Sequence, residues 1–289
     1  MPNVRWGWLI GVCLLADIAQ AGASASRGEY LVRGLGHCGT CHTPRGLWLQ
    51  ERGDAPLQGG WVQGWAAPAI NAQALQGWTQ QQLVQYLRSG DVPGQARAAG
   101  PMAEVIDHSV SRLSEQDLAA IASYLKQLPG AAPAPAAAPA PALTLAVPRG
   151  QARPADAEAL DAAQLFDAYC ASCHWQAGRG LPALDDTGAL ARRSGANVVM
   201  VILQGVQRAD GTRMPSFSRD LTDRQVATLA NALAGEGATA LQPADVARRR
   251  RAQGPAGWQG ATWAVVGASL LALCVVAWRF AAARARRRL

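Results

Sequence analysis

Two short runs of the chain carry residue types that can hold a metal cofactor covalently. Each has the pattern C-x-x-C-H, in which two cysteines three positions apart are followed at once by a histidine. Two such thiols can each add to one vinyl group of a haem, and the adjacent imidazole can bind its iron, which is the attachment signature of c-type haem. The residues are Cys38, Cys41, His42, Cys170, Cys173 and His174.

Zinc binding and dithiol redox chemistry are the alternatives for these runs. A zinc site would combine cysteine and histidine ligands from both runs and does not need a histidine directly after the second cysteine. A redox dithiol would occur once, within a βαβ unit. The repetition of the full pattern favours covalent attachment, so the sequence predicts two haem c cofactors.

Electron-carrying haem needs a second axial ligand, because an open iron position admits oxygen or peroxide. Met102 and Met214 lie in proline-containing segments that the pattern places in loops. A thioether is soft and neutral and raises the reduction potential. His108 is an alternative for the first iron, and Met200, within an apolar run, is expected to fill the core. The predicted axial pairs are His42 with Met102 and His174 with Met214.

Tryptophans are concentrated in the first half of the chain. We expect them to pack in the haem pocket and the core rather than to relay electrons. Arg45 follows the first haem motif, where it either pairs with a haem propionate or is solvated. The tryptophans concerned are Trp48, Trp61, Trp65 and Trp78.

The elements that must position these ligands form an internal repeat. In each half an amphipathic segment runs into the haem motif, and a middle helix (81–89 and 196–204) ends at a glycine. A methionine segment follows, and a closing helix begins at Ser114 or Thr222. Thr222 and Gln225 fit a capping box. Without long alternating strand patterns, both units are predicted to be small all-α domains.

The formal charge of +7 does not indicate nucleic-acid binding. Arginines are concentrated in the last residues of the chain and in the run Arg248 to Arg251, whereas the remainder is close to neutral. Such basic segments beside apolar stretches set membrane topology or contact lipid. We therefore expect no nucleic-acid partner.

Both ends of the chain predict membrane targeting. An arginine, a short apolar stretch and A-x-A sequences are typical of a secretory signal peptide. Residues 261–278 carry no charge and are flanked by tryptophans, which favours a transmembrane helix. The predicted order is a signal peptide (1–25), domain 1 (26–128), a Pro/Ala-rich linker (129–157), domain 2 (158–237), a juxtamembrane segment (238–260), a transmembrane helix (261–278) and a cytoplasmic basic tail (279–289).

These motifs resemble the membrane-bound cytochrome c subunits of periplasmic dehydrogenases that oxidise alcohols, gluconate and aldehydes. The resemblance lies in Tyr30 to Arg45, Gly100 to Val105 and Leu113 to Leu118 of the first unit, and in Ile202 to Gly205 and Arg213 to Phe217 of the second. It implies class I cytochrome c folds with His/Met ligation. Many relatives carry three haems, whereas this chain has two haem motifs.

The function expected is that of an electron-transfer subunit without catalytic residues of its own. It would carry electrons from a periplasmic dehydrogenase, or from quinol, toward quinone or a terminal oxidase. We expect a single-pass protein of the bacterial inner membrane with its haem domains in the periplasm. The alternatives are a dihaem cytochrome c peroxidase and the cytochrome c subunit of a terminal oxidase.

Overall fold

The computed structural model describes residues 27–130, 156–174, 184, 195–234, 240–253 and 269–271. The predicted signal peptide, most of the linker and the basic tail lie outside these ranges. Of the predicted transmembrane helix, residues 269–271 are described, and they are helical. Within the described ranges no helix is long and apolar enough to cross a membrane. The transmembrane helix and the signal peptide therefore stay predictions.

Domain 1 is built from helices and two small antiparallel hairpins. The core contains Leu31, Val32, Leu83, Ile121 and Leu125. In chain order the elements are a π-helical segment (Tyr30–Leu35), α1 (Gly39–His42), β1 (Gly60–Val62), β2 (Trp65–Ala67), α2 (Gln80–Ser89), β3 (Asp91–Val92), β4 (Ala96–Arg97), α3 (Gly100–His108), a 3₁₀ turn (Val110–Arg112) and α4 (Glu115–Gln127).

Within its described residues, domain 2 repeats the helical order and contains one hairpin. Leu165, Val199, Val226 and Leu229 are fully buried in its core. Its elements are a 3₁₀ turn (Ala157–Ala159), α5 (Ala162–Tyr169), α6 (Ala171–His174), α7 (Gly195–Gln204), β5 (Val206–Gln207), β6 (Arg213–Met214), α8 (Asp223–Ala234) and α9 (Pro243–Gln253). The helix-rich architecture agrees with the all-α prediction, to which the structure adds short hairpins.

Local sequence signals fix the ends of these helices. Thr79 caps α2 through a reciprocal capping box with Gln82, and Gly90 ends that helix in the left-handed conformation, with φ 73°. In domain 2 the predicted box is confirmed, because the Thr222 and Gln225 side chains exchange hydrogen bonds with each other's backbone N–H groups. Capping satisfies backbone donors that a helix cannot pair internally.

Helix α9 adds a packed element to domain 2 within the segment that the sequence assigned to the membrane-proximal region. Val246 is fully buried in the domain core. Arg250 donates to Asp223 of α8 at 2.6 Å, to the Leu221 carbonyl at 2.7 Å and to the Ser218 carbonyl. Part of the basic run 248–251 therefore stabilises the domain rather than standing free for lipid.

The two domains contact each other through the β1–β2 hairpin and helix α7. The Trp65 indole N–H donates to Gln204 Oε1 at 2.9 Å. The Asn197 amide pairs with both backbone groups of Ala66, at 2.8 and 2.9 Å, as a neighbouring strand would. The guanidinium of Arg249 lies over the Trp61 ring, 5.4 Å from its centroid. These contacts join segments far apart in the chain.

A buried ion pair reinforces this junction. Arg208 of domain 2 and Asp107 of domain 1 approach to 2.7 Å, and their side chains are 5% and 11% exposed. Hydrogen bonding by the Arg208 guanidinium lowers the pKa of Asp107 from its ordinary value. The pair is desolvated, so removing either partner leaves a buried charge without compensation.

Replacing Gly28 should weaken the packing of the N-terminal helical segment on α4. A Cβ at this position would lie 2.2 Å from the Ala120 carbonyl oxygen and 2.7 Å from Tyr124 Cβ. We expect Gly28→Ala to lower the free energy of unfolding by about 1–3 kcal/mol, as overpacking does. Gly53→Ala is the control, because a Cβ there meets nothing within 4 Å. Equal denaturation midpoints for the two variants would contradict this packing.

The Asp107 carboxylate should give the protein a component of acid sensitivity. Folding lowers the pKa of Asp107 from its ordinary value of 3.8. The contribution of its carboxylate to the free energy of unfolding is therefore fully present above that ordinary value and is lost as pH falls through the lower pKa of the folded state. The difference in unfolding free energy between wild type and Asp107→Asn should therefore shrink below about pH 4. Asp54→Asn is the control, because its pair with Arg52 is exposed. A difference that is constant with pH would contradict the pairing.

Candidate functional site

The first C-x-x-C-H run forms a single tight helical turn. The His42 N–H donates to the Cys38 carbonyl at 2.9 Å, and the Cys41 N–H does so at 3.3 Å. The Gly59 N–H donates to the His42 carbonyl at 2.7 Å, and the Thr43 hydroxyl accepts from the Leu57 N–H at 3.0 Å. The loop 57–59 therefore holds the end of the motif in place through two hydrogen bonds.

The loop that leads into β1 lies directly against this turn. A Cβ on Gly60 would lie 2.5 Å from the Cys41 carbonyl oxygen and 2.8 Å from that of Thr43. A Cβ on Gly36 would lie 3.3 Å from Cys38 Sγ and 2.7 Å from the Leu31 carbonyl oxygen. Glycine at these positions lets backbone segments approach the motif closely.

The His42 ring is oriented by a backbone carbonyl. Its Nδ1 lies 2.7 Å from the Pro68 carbonyl oxygen, which can only accept, so the proton is assigned to Nδ1. The other ring nitrogen, Nε2, is then the unprotonated one and can bind a metal. Burial lowers the pKa of His42, which favours the neutral form that a ligand must have. Nothing in the sequence pattern pointed to Pro68.

The thiols of both motifs are available for attachment. The four cysteines that the structure describes form no disulfide with one another. Burial raises the pKa of Cys38 to about 11 and that of Cys170 to about 11. These thiols are therefore protonated at neutral pH.

The second motif forms the same turn at the end of α5. The Cys173 N–H and the His174 N–H donate to the Cys170 carbonyl at 3.1 and 3.0 Å. Cys170 also packs against the domain core beside Tyr169. Residues 175–183, which follow this motif, lie outside the described part of the chain.

Met102 lies within helix α3, near its start, and the expectation of a loop is wrong here. Pro101 occupies the first turn, where its missing N–H costs no hydrogen bond, so the proline begins the helix instead of interrupting it. The Met102 side chain is half-buried and packs against the small apolar cluster that contains Ala103 and Ile106. His108 is the exposed last residue of the same helix.

Met214 lies on strand β6, opposite Val206 in the β5–β6 hairpin. This strand position differs from the loop expected from the sequence. The side chain is half-buried, and Gly205, which lies between α7 and β5, has φ 73°. A Cβ on Gly205 would lie 2.3 Å from the Met214 carbonyl oxygen, so the hairpin depends on this glycine. Met200 is fully buried, and a Cβ on Gly64 of the β1–β2 turn would lie 3.0 Å from its Sδ, so Met200 is buried where the two domains meet.

The loop after the first motif contradicts one expectation about the tryptophans. Trp48 is 88% exposed, and its neighbours Leu47 and Leu49 are 98% and 64% exposed. Trp61 is also exposed, at the domain junction, whereas Trp65 is buried and Trp78 packs against the core. Core packing therefore holds for two of the four residues.

Arg45 holds the exposed loop in shape. Its guanidinium donates to the Leu49 carbonyl at 2.7 Å and to the Thr40 carbonyl, within the haem motif, at 2.6 Å. The Gly46 N–H closes the turn on the Gln50 carbonyl at 2.9 Å. The side chain is therefore committed to backbone carbonyls rather than being simply solvated.

Comparison with known families agrees with this geometry. Residues 25–129 match the cytochrome c family, and residues 157–231 match the family of subunit III of cbb3-type cytochrome c oxidase. The chain contains two cytochrome c domains. Domains of this family bind haem c covalently, so the chain carries two haem c groups. The paired thiols and the neutral, oriented imidazole of His42 fit this cofactor.

Several relatives are named as cytochrome subunits of dehydrogenases. The chain is 35% identical over 255 residues to the fructose dehydrogenase cytochrome subunit of Gluconobacter japonicus, covering 79% of this chain and 52% of that protein. It is 35% identical over 265 residues to the gluconate 2-dehydrogenase cytochrome c subunit of Pantoea cypripedii, covering 81% and 57%. A diheme cytochrome c-type protein of Cereibacter sphaeroides is 41% identical over 104 residues, covering 36% and 35%. The chain spans about half the length of the two dehydrogenase subunits.

Proposed function

We propose that this chain is a dihaem electron-transfer subunit that accepts electrons from the catalytic subunit of a dehydrogenase. The observation that carries the proposal is the repeated C-x-x-C-H turn, present in each of two cytochrome c domains. Haem c supplies reversible one-electron chemistry at its iron. The protein's own residues hold it, exclude solvent and set its potential, and no residue of the chain is assigned to bond-breaking chemistry.

The proposed axial ligands are those predicted from the sequence. His42 and Met102 would bind the iron of domain 1, and His174 and Met214 that of domain 2, with attachment at Cys38, Cys41, Cys170 and Cys173. For His42 the support is the bond from Nδ1 to Pro68, which leaves Nε2 unprotonated. For both methionines the support is partial burial on an element that follows the middle helix of its domain.

A dehydrogenase partner is supported by the relatives that are dehydrogenase subunits and by the loop Leu47–Leu49. Three consecutive exposed apolar side chains are rarely left in water unless they meet another surface. The loop begins shortly after His42 and is tied to the motif through Arg45 and the Thr40 carbonyl. A partner that binds it would therefore be held beside the haem of domain 1. Quinol is the alternative donor, and quinone or a terminal oxidase is the proposed acceptor.

The second candidate function is that of a cytochrome c subunit of a terminal oxidase. The match of residues 157–231 to a cbb3-type oxidase subunit family favours it. A dihaem peroxidase has weaker support, because it needs an acid–base residue over an open haem face. The two nearby candidates, Glu104 and His108, are both exposed on α3.

Location in the bacterial inner membrane is part of the proposal. The apolar stretch 261–278 would anchor the chain as a single-pass protein, and the signal peptide would place both haem domains in the periplasm. The support is the uncharged sequence with flanking tryptophans and the need to attach haem c outside the cytoplasm.

Removing either methionine should change the haem of its own domain. We expect Met102→Ala and Met214→Ala each to retain covalent haem, to lower the potential of one haem and to let carbon monoxide bind it when reduced. A spectroelectrochemical titration, with carbon monoxide added to the reduced protein, measures both effects. Leu229→Ala is the control, because Leu229 is a fully buried core residue of domain 2 and is not a proposed ligand. An unchanged potential in either variant removes that methionine from the ligand set.

Purification in mild detergent tests the partner. We expect a large cofactor-bearing dehydrogenase to copurify with the chain and to reduce both haems when its substrate is added. Trp48→Ser should weaken this association, whereas Arg52→Ser, in the same loop and paired with Asp54, should not. Copurification with oxidase subunits, or turnover of peroxide by the chain alone, would contradict the dehydrogenase assignment.

A further inference from the structure

Domain 2 contacts helix α3, which carries Met102, and strand β2, which leads directly to the residue that hydrogen-bonds His42. One contact lies on the His42 side and involves strand β2. The other lies on the Met102 side and involves helix α3. The contacting groups of domain 2 come from α7 and from the turn of the β5–β6 hairpin.

On the His42 side, Asn197 holds the strand that leads to Pro68. Its side-chain oxygen accepts from the Ala66 N–H at 2.8 Å, and its amide N–H donates to the Ala66 carbonyl at 2.9 Å. Ala66 lies in β2, which ends at the next residue, and Pro68 follows at once. The Pro68 carbonyl then accepts from His42 Nδ1 at 2.7 Å. Asn197 thus acts on the ligand through three consecutive backbone residues.

On the Met102 side, Arg208 binds the helix that carries the methionine. Its Nη2 and Nε donate to the two carboxylate oxygens of Asp107 at 2.7 and 2.9 Å, and the Ala209 N–H adds a bond at 3.0 Å. Nη2 also donates to the Ser89 carbonyl at the end of α2, at 2.9 Å. Bidentate arginine–carboxylate pairs fix orientation as well as distance.

Two further features show that domain 1 is shaped to receive this junction. A Cβ on Gly90 would lie 2.6 Å from Arg208 Nη2, so the guanidinium occupies space that a side chain would fill. Gly100, the first residue of α3, lies against the ring of Trp65, where a Cβ would approach within 2.3 Å. The Trp65 indole in turn donates to Gln204 of α7.

We propose that Asn197 and Arg208 are positioning residues through which domain 2 sets the potential of the haem in domain 1. Asn197 fixes the hydrogen bond on the His42 ring, and Arg208 fixes the helix that presents Met102. The proposal rests on His42 and Met102 being the axial ligands. The haem nearer the proposed partner surface is then tuned by the neighbouring domain.

The two positions should act in opposite directions. Hydrogen bonding to the far nitrogen of a ligating histidine raises its basicity, so loosening Pro68 should weaken stabilisation of oxidised iron and raise the potential. Methionine ligation raises the potential, so loosening α3 should lower it. General loosening of the fold would not produce a pair of shifts with opposite signs confined to one haem.

The test is a redox titration of the purified full-length dihaem protein carrying Asn197→Ala or Arg208→Gln. At a fixed applied potential, Asn197→Ala should give a severalfold lower oxidised fraction of the first haem, because its potential rises. Arg208→Gln should give a severalfold higher oxidised fraction, because its potential falls. The second haem should titrate as in the wild type. Asp107→Asn, which leaves no buried carboxylate unpaired, should reproduce the direction of Arg208→Gln. Met102→Ala, measured alongside, identifies which titration step belongs to domain 1.

Arg250→Gln is the matched control, because it breaks an arginine–carboxylate pair that lies entirely within domain 2. Shifts of the first haem equal to those of this control, or shifts of one sign in all variants, would overturn the proposal. An unchanged titration in Met102→Ala would instead refute the ligand assignment. A shift in Met102→Ala without one in Arg208→Gln would refute the positioning role alone.

Discussion

The hydrogen bond between His42 and the Pro68 carbonyl is the constraint around which domain 1 is organised. It decides which nitrogen of the ring is free, and burial keeps that ring neutral. The strand that supplies the carbonyl is also the strand that domain 2 pairs through Asn197. The Pro68 carbonyl oxygen therefore links the haem motif to the β1–β2 hairpin. Through that hairpin it also links the motif to the junction between the domains.

Features encoded within a few consecutive residues could be predicted from the sequence. The C-x-x-C-H turns need five residues, and the Thr222–Gln225 box needs four, so their chemistry is complete in the local pattern. The repeated order of helices also followed from glycine and capping signals. The prediction that Met102 lies in a loop was wrong because Pro101, which precedes it, can begin a helix as readily as it can lie in a loop. The apolar residues 47–49 gave no local sign that they would be exposed.

Contacts between distant segments could not be predicted. Asp107 and Arg208 are ordinary surface residues by type, and they become buried because two separate domains bring them together. The Asn197 side chain, on a helix, pairs with the Ala66 backbone as a neighbouring strand would. Neither the helical nor the strand periodicity of the sequence indicates such a pair. The charged run 248–251 shows the same limit, because composition alone cannot distinguish a lipid-facing arginine from one that closes a helix interface.

The packing of α9 on domain 2 also limits the length of chain between that domain and the proposed membrane helix. The folded domain extends to Gln253, and residues 254–260 separate it from the proposed membrane helix. These seven residues reach at most about 25 Å when fully extended. If residues 261–278 span the membrane, this short connection would keep domain 2 close to the lipid surface. An acceptor embedded in the bilayer would encounter it by small rotations rather than by long-range diffusion.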